Sequence, residues 1–207
     1  KTIHQSDYIR AMAENVITFC HGPAGSGKTH IAIGLALEYL LSGVVEKIVI
    51  TRPVVEAGER LGFLPGSAED KLSPYLLPLF DELNYFISQA DLAYLKKERK
   101  INIVPLALMR GRSFHNSFIV ADECQNASYE QLKMLLTRIG HDSKMILTGD
   151  VTQSDLQQHR QGGFYDLLNI LEGIEDLATV HLECADILRN PIISSIINRI
   201  ESHEEEK

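Results

Sequence analysis

The residues with the clearest chemical meaning lie at positions 22–29, in the segment GPAGSGKT. This segment fits the pattern G-x-x-x-x-G-K-[ST], in which glycines let successive backbone N–H groups face one anion. An apolar helical stretch follows, and the positive end of a helix dipole favours bound negative charge. Lys28 can reach the β- and γ-phosphates of a nucleotide, and the Thr29 hydroxyl can bind Mg²⁺. The segment therefore predicts a phosphate-binding loop, or P-loop.

Two acidic residues, Asp122 and Glu123, end the apolar run FIVA. A carboxylate at the carboxyl end of a parallel strand lies on the sheet edge where such folds bind ligands. Asp122 is predicted to hold Mg²⁺ through water or through another ligand of the ion. Glu123 is predicted to orient or deprotonate a water beside the γ-phosphate. The alternative is a solvated acidic pair at the start of a loop.

A third polar cluster follows the apolar run MIL and comprises Thr148, Gly149 and Asp150, with Gln153 close behind. A neutral amide can hydrogen-bond both an attacking water and a γ-phosphate oxygen. Gln153 is therefore predicted to distinguish a nucleoside triphosphate from a diphosphate. An ordinary turn after a strand is the alternative interpretation.

Alternating strand and helix patterns must position these clusters. Apolar runs predict strands at 15–20, 46–53, 101–106, 117–123, 143–150 and 178–184. Helical spacing predicts helices at 28–43, 74–89, 91–100, 128–140, 162–174 and 190–200. In the fourth of these helices, Ser128 is the expected N-cap and Gly140 lies just past the end. Continuous apolar strands are typical of a parallel sheet covered on both faces, so the expected class is α/β.

The chain has 207 residues with 44% hydrophobic content, enough for one sizeable core. We expect a single domain over 1–207, with a mobile insertion around 54–100. Within that insertion, glycines among charged residues predict a long loop at 54–73, and Pro74 is expected near a helix N-terminus.

The formal charge of −8 argues against a broad nonspecific surface for nucleic acid, although a local basic groove remains compatible with it. No apolar run approaches the roughly 20 residues of a membrane span, and no signal-peptide pattern opens the sequence. The three cysteines form no CxxC pair. These features predict a cytoplasmic protein without a membrane partner.

With these motifs, the chain resembles the PhoH family of P-loop ATPases, which is related to the motor core of superfamily 1 helicases. The resemblance runs from HQSDYI at 4–9 through LRNPIISSII at 188–197. Its most diagnostic part is TRPVVEAGERLGFLPG at 51–66, because P-loops and acidic pairs are widespread. The resemblance implies a three-layer RecA-like P-loop NTPase fold, with a mostly parallel sheet and helices on both faces. It also implies an extra strand between the P-loop strand and the acidic strand.

The resemblance implies ATP and Mg²⁺ as cofactors. The expected nucleotide contacts are Gln5, Gly22, Pro23, Ala24, Gly25, Ser26, Gly27, Lys28, Thr29 and His30. Gln5 is similar to the helicase glutamine that reads adenine, since an amide can pair with both N6 and N7. A surface glutamine is the alternative.

Five arginines receive roles by resemblance. Arg189 lies in a segment similar to the one whose arginine touches the γ-phosphate in helicases, and Arg138 is the second candidate for such an arginine finger. Arg52 matches a helicase position that leads toward nucleic acid, with a structural ion pair as the alternative. Arg110 and Arg112 are either phosphate-backbone contacts or structural pairs.

The resulting hypothesis is an Mg²⁺-dependent ATPase coupled to binding, remodelling or unwinding of single-stranded RNA, or of DNA. Lys28, Glu123, Gln153 and one arginine finger would carry the catalysis. A chain of this length holds one RecA-like lobe, so a neighbouring subunit would supply the finger in a ring, commonly a hexamer. The alternative is a P-loop kinase that phosphorylates a small molecule or nucleotide. Glu123 and Gln153 favour hydrolysis by water.

Overall fold

Six parallel strands form one sheet in the computed structural model, which describes residues 1–54, 68–151, 153, 156, 162–187 and 199, with the backbone alone at 68–73. The strands are β1 Ile17–His21, β2 Lys47–Arg52, β3 Ile101–Pro105, β4 Ser117–Ala121, β5 Lys144–Gly149 and β6 Leu177–His181. Their spatial order is β3-β2-β4-β5-β1-β6. The predicted extra strand is confirmed, because β5 lies between β1 and β4.

Helices cover both faces of the sheet. They are α1 Ile3–Glu14, α2 Lys28–Leu41, α3 Ala68–Phe86, α4 Gln89–Lys97, α5 Tyr129–Leu136 and α6 Gly163–Ile170. Ile48 and Ile50 of β2 belong to the core that includes residues of α1 to α4, whereas Val49 between them belongs to the core that includes residues of α5 and α6. This alternation places one hydrophobic core on each face, since successive strand residues point in opposite directions. The predicted three-layer α/β class is confirmed.

The register of the strands brings the three predicted polar clusters to one edge. His21 of β1 lies beside Gly149 of β5, and Ala121 of β4 lies beside Leu147. The residues that follow these strands, from 22, 122 and 150 onward, therefore emerge as neighbours at the carboxyl ends of the strands. The fold turns three separate segments into one site.

Helix α3 starts earlier than the sequence predicts. Residues 68–73 are helical, so the predicted loop at 54–73 is wrong for its last part, and Pro74 and Pro78 lie inside the helix. Each proline removes a backbone N–H donor. Leu76, Leu79 and Leu83 nevertheless recur at helical spacing and are buried, and this packing outweighs the local penalty. The preceding part of that loop, 55–67, lies outside the described residues.

Helix α5 begins as predicted and ends sooner. Ser128 is its N-cap and forms a capping box with Gln131. The helix ends at Leu136, so the expected stop at Gly140 is wrong. Gly140 instead donates its backbone N–H to the Phe114 carbonyl at 2.7 Å, and a Cβ there would lie 2.6 Å from that oxygen. Close approach of the His115 ring and the Phe114 backbone, rather than helix termination, requires this glycine.

The predicted helix at 190–200 lies outside the described residues, apart from position 199. Across the described ranges, no helix combines the length and apolar character needed to span a membrane.

Candidate functional site

The P-loop follows β1 directly and is held against its neighbours. The Gly22 N–H donates to the Gly149 carbonyl of β5 at 3.2 Å. Gly22 and Gly27 have φ angles of +147° and +91°, a region that side chains disfavour. Gly27 is the N-cap of α2, so the loop delivers Lys28 and Thr29 to the first turn of that helix. The backbone therefore forms the cradle expected for phosphate.

Replacing Gly22 by alanine should lower the free energy of unfolding by about 3 kcal/mol or more. A Cβ at this position would lie 2.2 Å from the backbone oxygen of Leu182, and the φ angle adds strain. Gly43 is a matched control, because it also has a positive φ but has nothing within 4 Å of its Cβ position. Gly43→Ala should cost only about 1 kcal/mol. Urea unfolding measures both values, and equal losses would contradict this interpretation.

Lys28 folds back onto the loop that precedes it. Its Nζ donates to the carbonyls of Gly22 at 2.7 Å and Pro23 at 2.8 Å. Burial lowers the pKa of Lys28, while Cys20, Asp150 and the acidic pair oppose that shift. The ammonium is thus held at the mouth of the loop by neutral carbonyls, which a phosphate could replace.

Thr29 and Asp122 meet as predicted from two distant segments. The Thr29 hydroxyl donates to Asp122 Oδ1 at 2.5 Å, and the Thr148 hydroxyl donates to the same oxygen at 2.8 Å. Asp122 is 5% exposed. A buried carboxylate next to a hydroxyl on the first turn of α2 suits Mg²⁺, which takes oxygen ligands and keeps several waters. These two side chains fit the metal that the motif implies.

Glu123 has a left-handed backbone, with φ of +54°. A partner that the sequence analysis missed, Gln125, holds its side chain. The Gln125 amide donates to Glu123 Oε2, and its carbonyl oxygen accepts from the Asp150 N–H at 3.0 Å. Gln125 therefore ties the acidic segment to the end of β5. Its position two residues after Glu123 is the only hint in the sequence.

Arg52 and Gln153 also lie in this region. Arg52 Nη2 lies 3.8 Å from Glu123 Oε1, so Arg52 forms the ion pair that was the alternative interpretation for it. Its role toward nucleic acid stays a prediction. Gln153 lines a small cleft together with Lys28, Asp122 and Glu123. Its backbone N–H donates to the Asp150 carbonyl at 3.3 Å. The structure thus brings Gln153 beside the predicted catalytic residues.

Gln5 is buried at 4% exposure, so it is not the surface glutamine of the alternative. Its Nε2 donates to the carbonyls of Ser26 at 3.1 Å and Asp186 at 3.2 Å. Its Oε1 accepts from the Thr2 N–H at 3.1 Å, within the capping box of α1. The amide is engaged with backbone, so reading adenine requires it to exchange partners. That role stays a prediction.

Four predicted arginines lie away from the P-loop or outside the described residues. Phe114 N–H donates to the Arg138 carbonyl, which places Arg138 near the amino ends of β4 and β5, opposite the P-loop. Arg138 also donates to the Arg112 carbonyl at 3.4 Å, and the Arg112 guanidinium lies over the Phe114 ring. Arg110, two residues before Arg112, is exposed. Arg189 lies outside the described residues.

The remaining predicted nucleotide contacts belong to the loop and to α2. The Ser26 hydroxyl donates to the Pro23 carbonyl at 2.8 Å and is buried. Ala24, Gly25 and His30 line a cavity of about 690 Å³ beside the loop. His30 turns its imidazole toward α3, where Nδ1 lies 2.9 Å from Glu82 Oε2.

The parallel sheet, the P-loop between β1 and α2, and the Thr29–Asp122 pair define a P-loop NTPase with a RecA-like fold. The family model described as PhoH, PhoH-like protein, matches residues 1–201, and the chain belongs to this family.

A PhoH-like protein of Synechocystis sp. is 45% identical over 204 residues, which cover 99% of this chain and 62% of the relative. The chain therefore spans about three fifths of that relative's length. Among solved structures, the large terminase from a thermophilic bacteriophage is similar with a TM-score of 0.60 and 11% identity, covering 96% of this chain and 50% of that one. The UvsW helicase from bacteriophage T4 gives 0.51 and 14%, covering 87% and 59%. At such identities these structures bear on the fold alone.

Proposed function

We propose that this chain is an Mg²⁺-dependent ATPase. The observation that carries the proposal is the convergence of Lys28, Asp122, Glu123 and Gln153 on one cleft, with Thr29 bonded to Asp122. The P-loop N–H groups and Lys28 would bind the phosphates. Thr29 and Asp122 would hold Mg²⁺, which supplies charge neutralisation at the γ-phosphate when bound. A kinase would share these features, and the proposed water-activating role of Glu123, with Gln153 beside it, is what favours hydrolysis.

Glu123 would orient and deprotonate the attacking water. Its side chain is 38% exposed, and Gln125 fixes one of its oxygens while Arg52 lies near the other. A base must lie within hydrogen-bond reach of the proton it removes, and these two contacts limit where the carboxylate can point. Gln125 is a positioning residue in this scheme, because it acts through Glu123.

Replacing Gln125 by alanine should lower kcat about 10-fold and leave ATP affinity within about 2-fold. Glu123 then loses its anchor, whereas the phosphate contacts remain. The matched control is Gln131→Ala, which removes the capping-box glutamine of α5 without touching Glu123. Steady-state phosphate release and ATP titration measure the two quantities. If Gln131→Ala lowered kcat as much as Gln125→Ala, destabilisation rather than positioning would explain the result.

We further propose coupling to single-stranded RNA, or to DNA. The family resemblance supports this step, and so does the place of Arg52 next to Glu123. A strand phosphate that binds Arg52 would lie close to the proposed catalytic carboxylate, so polymer binding and hydrolysis would share one residue. The charge of −8 restricts such binding to a local groove.

We also propose that the subunits assemble into a ring, with a hexamer as the expected form. Each site would then be completed by the neighbouring subunit. One RecA-like lobe leaves the γ-phosphate side of the P-loop open to solvent. An arginine from the neighbouring subunit, Arg189 or Arg138, would close it and stabilise charge in the transition state.

The test is ATP hydrolysis with and without single-stranded RNA and DNA, at several protein concentrations. We expect stimulation by a polymer and a rate that rises faster than protein concentration. The Lys28→Ala variant, prepared in parallel, reports any contaminating ATPase. A hydrolysis rate that is simply proportional to protein concentration would contradict the ring, and a rate that polymer does not change would contradict the coupling. Phosphate transfer to a metabolite with little hydrolysis would favour the kinase.

A further inference from the structure

The cavity of about 690 Å³ beside the P-loop has a second wall that the phosphate site does not use. One wall consists of Gly25, Gly27 and Lys28, and the other comes from the last turns of α3. On that second wall Tyr85 is 76% exposed. A large, exposed aromatic ring at the rim of such a cavity can stack against a flat ligand.

Tyr85 stands on a fixed support. The next residue, Phe86, packs into a notch on α2 at Gly34, where a Cβ would lie 3.1 Å from two atoms of the Phe86 ring. The Tyr85 and Phe86 rings meet edge to face at 5.5 Å between centroids. The end of α3 is therefore docked on the P-loop helix, while most of the Tyr85 side chain stays exposed.

His30 connects this support to the phosphate site. It directly follows Thr29. Its ring meets Tyr85 edge to face, with 4.8 Å between centroids, and lies tilted against Phe86 at 4.6 Å. Glu82 of α3 holds its Nδ1 at 2.9 Å. The aromatic wall is thus attached to the first turn of α2, where the chain leaves the phosphates.

On the α1 side of the cavity, Gln5 is engaged with the backbone carbonyls of Ser26 and Asp186. Its amide is therefore already hydrogen-bonded to the backbone at the position from which it was expected to hydrogen-bond the edge of the adenine base. The Tyr85 ring offers a different kind of contact, through its face, to a group that extends from the phosphates along the cavity.

We propose that Tyr85 is the platform on which the base of the bound nucleoside triphosphate stacks. This inference rests on the proposed nucleotide site and adds a residue that contacts the base. Stacking uses the π-face that every base has, so Tyr85 would raise affinity for nucleotides over bare phosphate chains. His30 and Phe86 would act as positioning residues for it.

The test compares Tyr85→Ala with Tyr94→Ala, which removes an exposed tyrosine of α4 that does not line this cavity. Calorimetry with MgATP and with Mg²⁺–inorganic triphosphate gives Kd values for the parent and both variants. We expect Tyr85→Ala to weaken MgATP about 10-fold. Its affinity for triphosphate should stay within about 2-fold, as should both affinities of Tyr94→Ala. Tyr85→Trp should retain MgATP binding.

Two results would overturn the platform while leaving the phosphate site intact. One is unchanged MgATP affinity in Tyr85→Ala, and the other is an equal loss for MgATP and triphosphate, which would indicate damage to the loop. A parent chain that binds neither ligand would overturn the proposed function itself, and the platform with it. The triphosphate measurement separates these failures.

Discussion

The Glu123→Gln variant should hydrolyse ATP at least about 100-fold more slowly than the parent, because it removes the base that activates water. ATP affinity should remain within about 2-fold, since Lys28, Thr29 and Asp122 keep their places. Glutamine has the shape of glutamate and can still bond the Gln125 amide. The substitution therefore tests charge and basicity with little change in packing. Single-turnover phosphate release and ATP titration measure the two effects.

Glu130→Gln is the matched control for this experiment. Glu130 is exposed on the first turn of α5, so the same chemical change is made a few residues away from the site. We expect its rate to equal that of the parent. A parental rate in Glu123→Gln would refute the water-activation role, and loss of ATP binding would point to a part in assembling the site.

The gathering of the polar clusters could be predicted, because it depends on simple rules. Apolar strands of a parallel sheet carry their following residues to the same edge, so Thr29, Asp122 and Asp150 were expected together from sequence alone. The contact between Thr29 and Asp122 at 2.5 Å agrees with that expectation. The P-loop could be predicted from its own eight residues alone, since its glycine spacing encodes the backbone turn directly.

The contacts of two amides could not be predicted, because they join segments far apart in the chain. Gln125 reaches the Asp150 N–H only after a left-handed turn at Glu123, a backbone feature without a local sequence rule. Gln5 binds the Asp186 carbonyl across 181 residues. Such partners follow from how α1 and the turn after β6 pack, and periodicity carries no information on that packing.

Local rules also failed where tertiary packing opposed them. A proline predicts a helix boundary, yet Pro74 and Pro78 lie within α3 because buried leucines hold that helix on the core. The consequence reaches the site, since the far end of the same helix presents Tyr85 to the cavity beside the P-loop. The helix that begins within the predicted loop thus supplies, at its far end, one wall of the candidate nucleotide pocket.

The Arg138→Ala variant should hydrolyse ATP about 1000-fold more slowly if Arg138 is the finger of a neighbouring subunit. Arg138 lies near the amino end of β4, and a five-residue strand separates the two edges of the sheet by about 16 Å. It therefore lies at the edge of the sheet opposite its own P-loop, so a finger at this position would act on the nucleotide of another copy. Three neutral oxygens bind its guanidinium, from Met134, Thr137 and Arg112, and a phosphate would compete with them effectively.

Mixing variants tests whether the arginine acts between subunits. Arg138→Ala subunits keep Glu123, and Glu123→Gln subunits keep Arg138, so a mixed ring contains some complete sites. In an equal mixture of head-to-tail subunits, about one quarter of sites combine both intact residues, and activity should recover to about that fraction. Arg10→Ala, which removes an exposed arginine of α1, should behave as the parent. If Arg189→Ala were instead slow and rescued by mixing while Arg138→Ala matched Arg10→Ala, the finger would be Arg189.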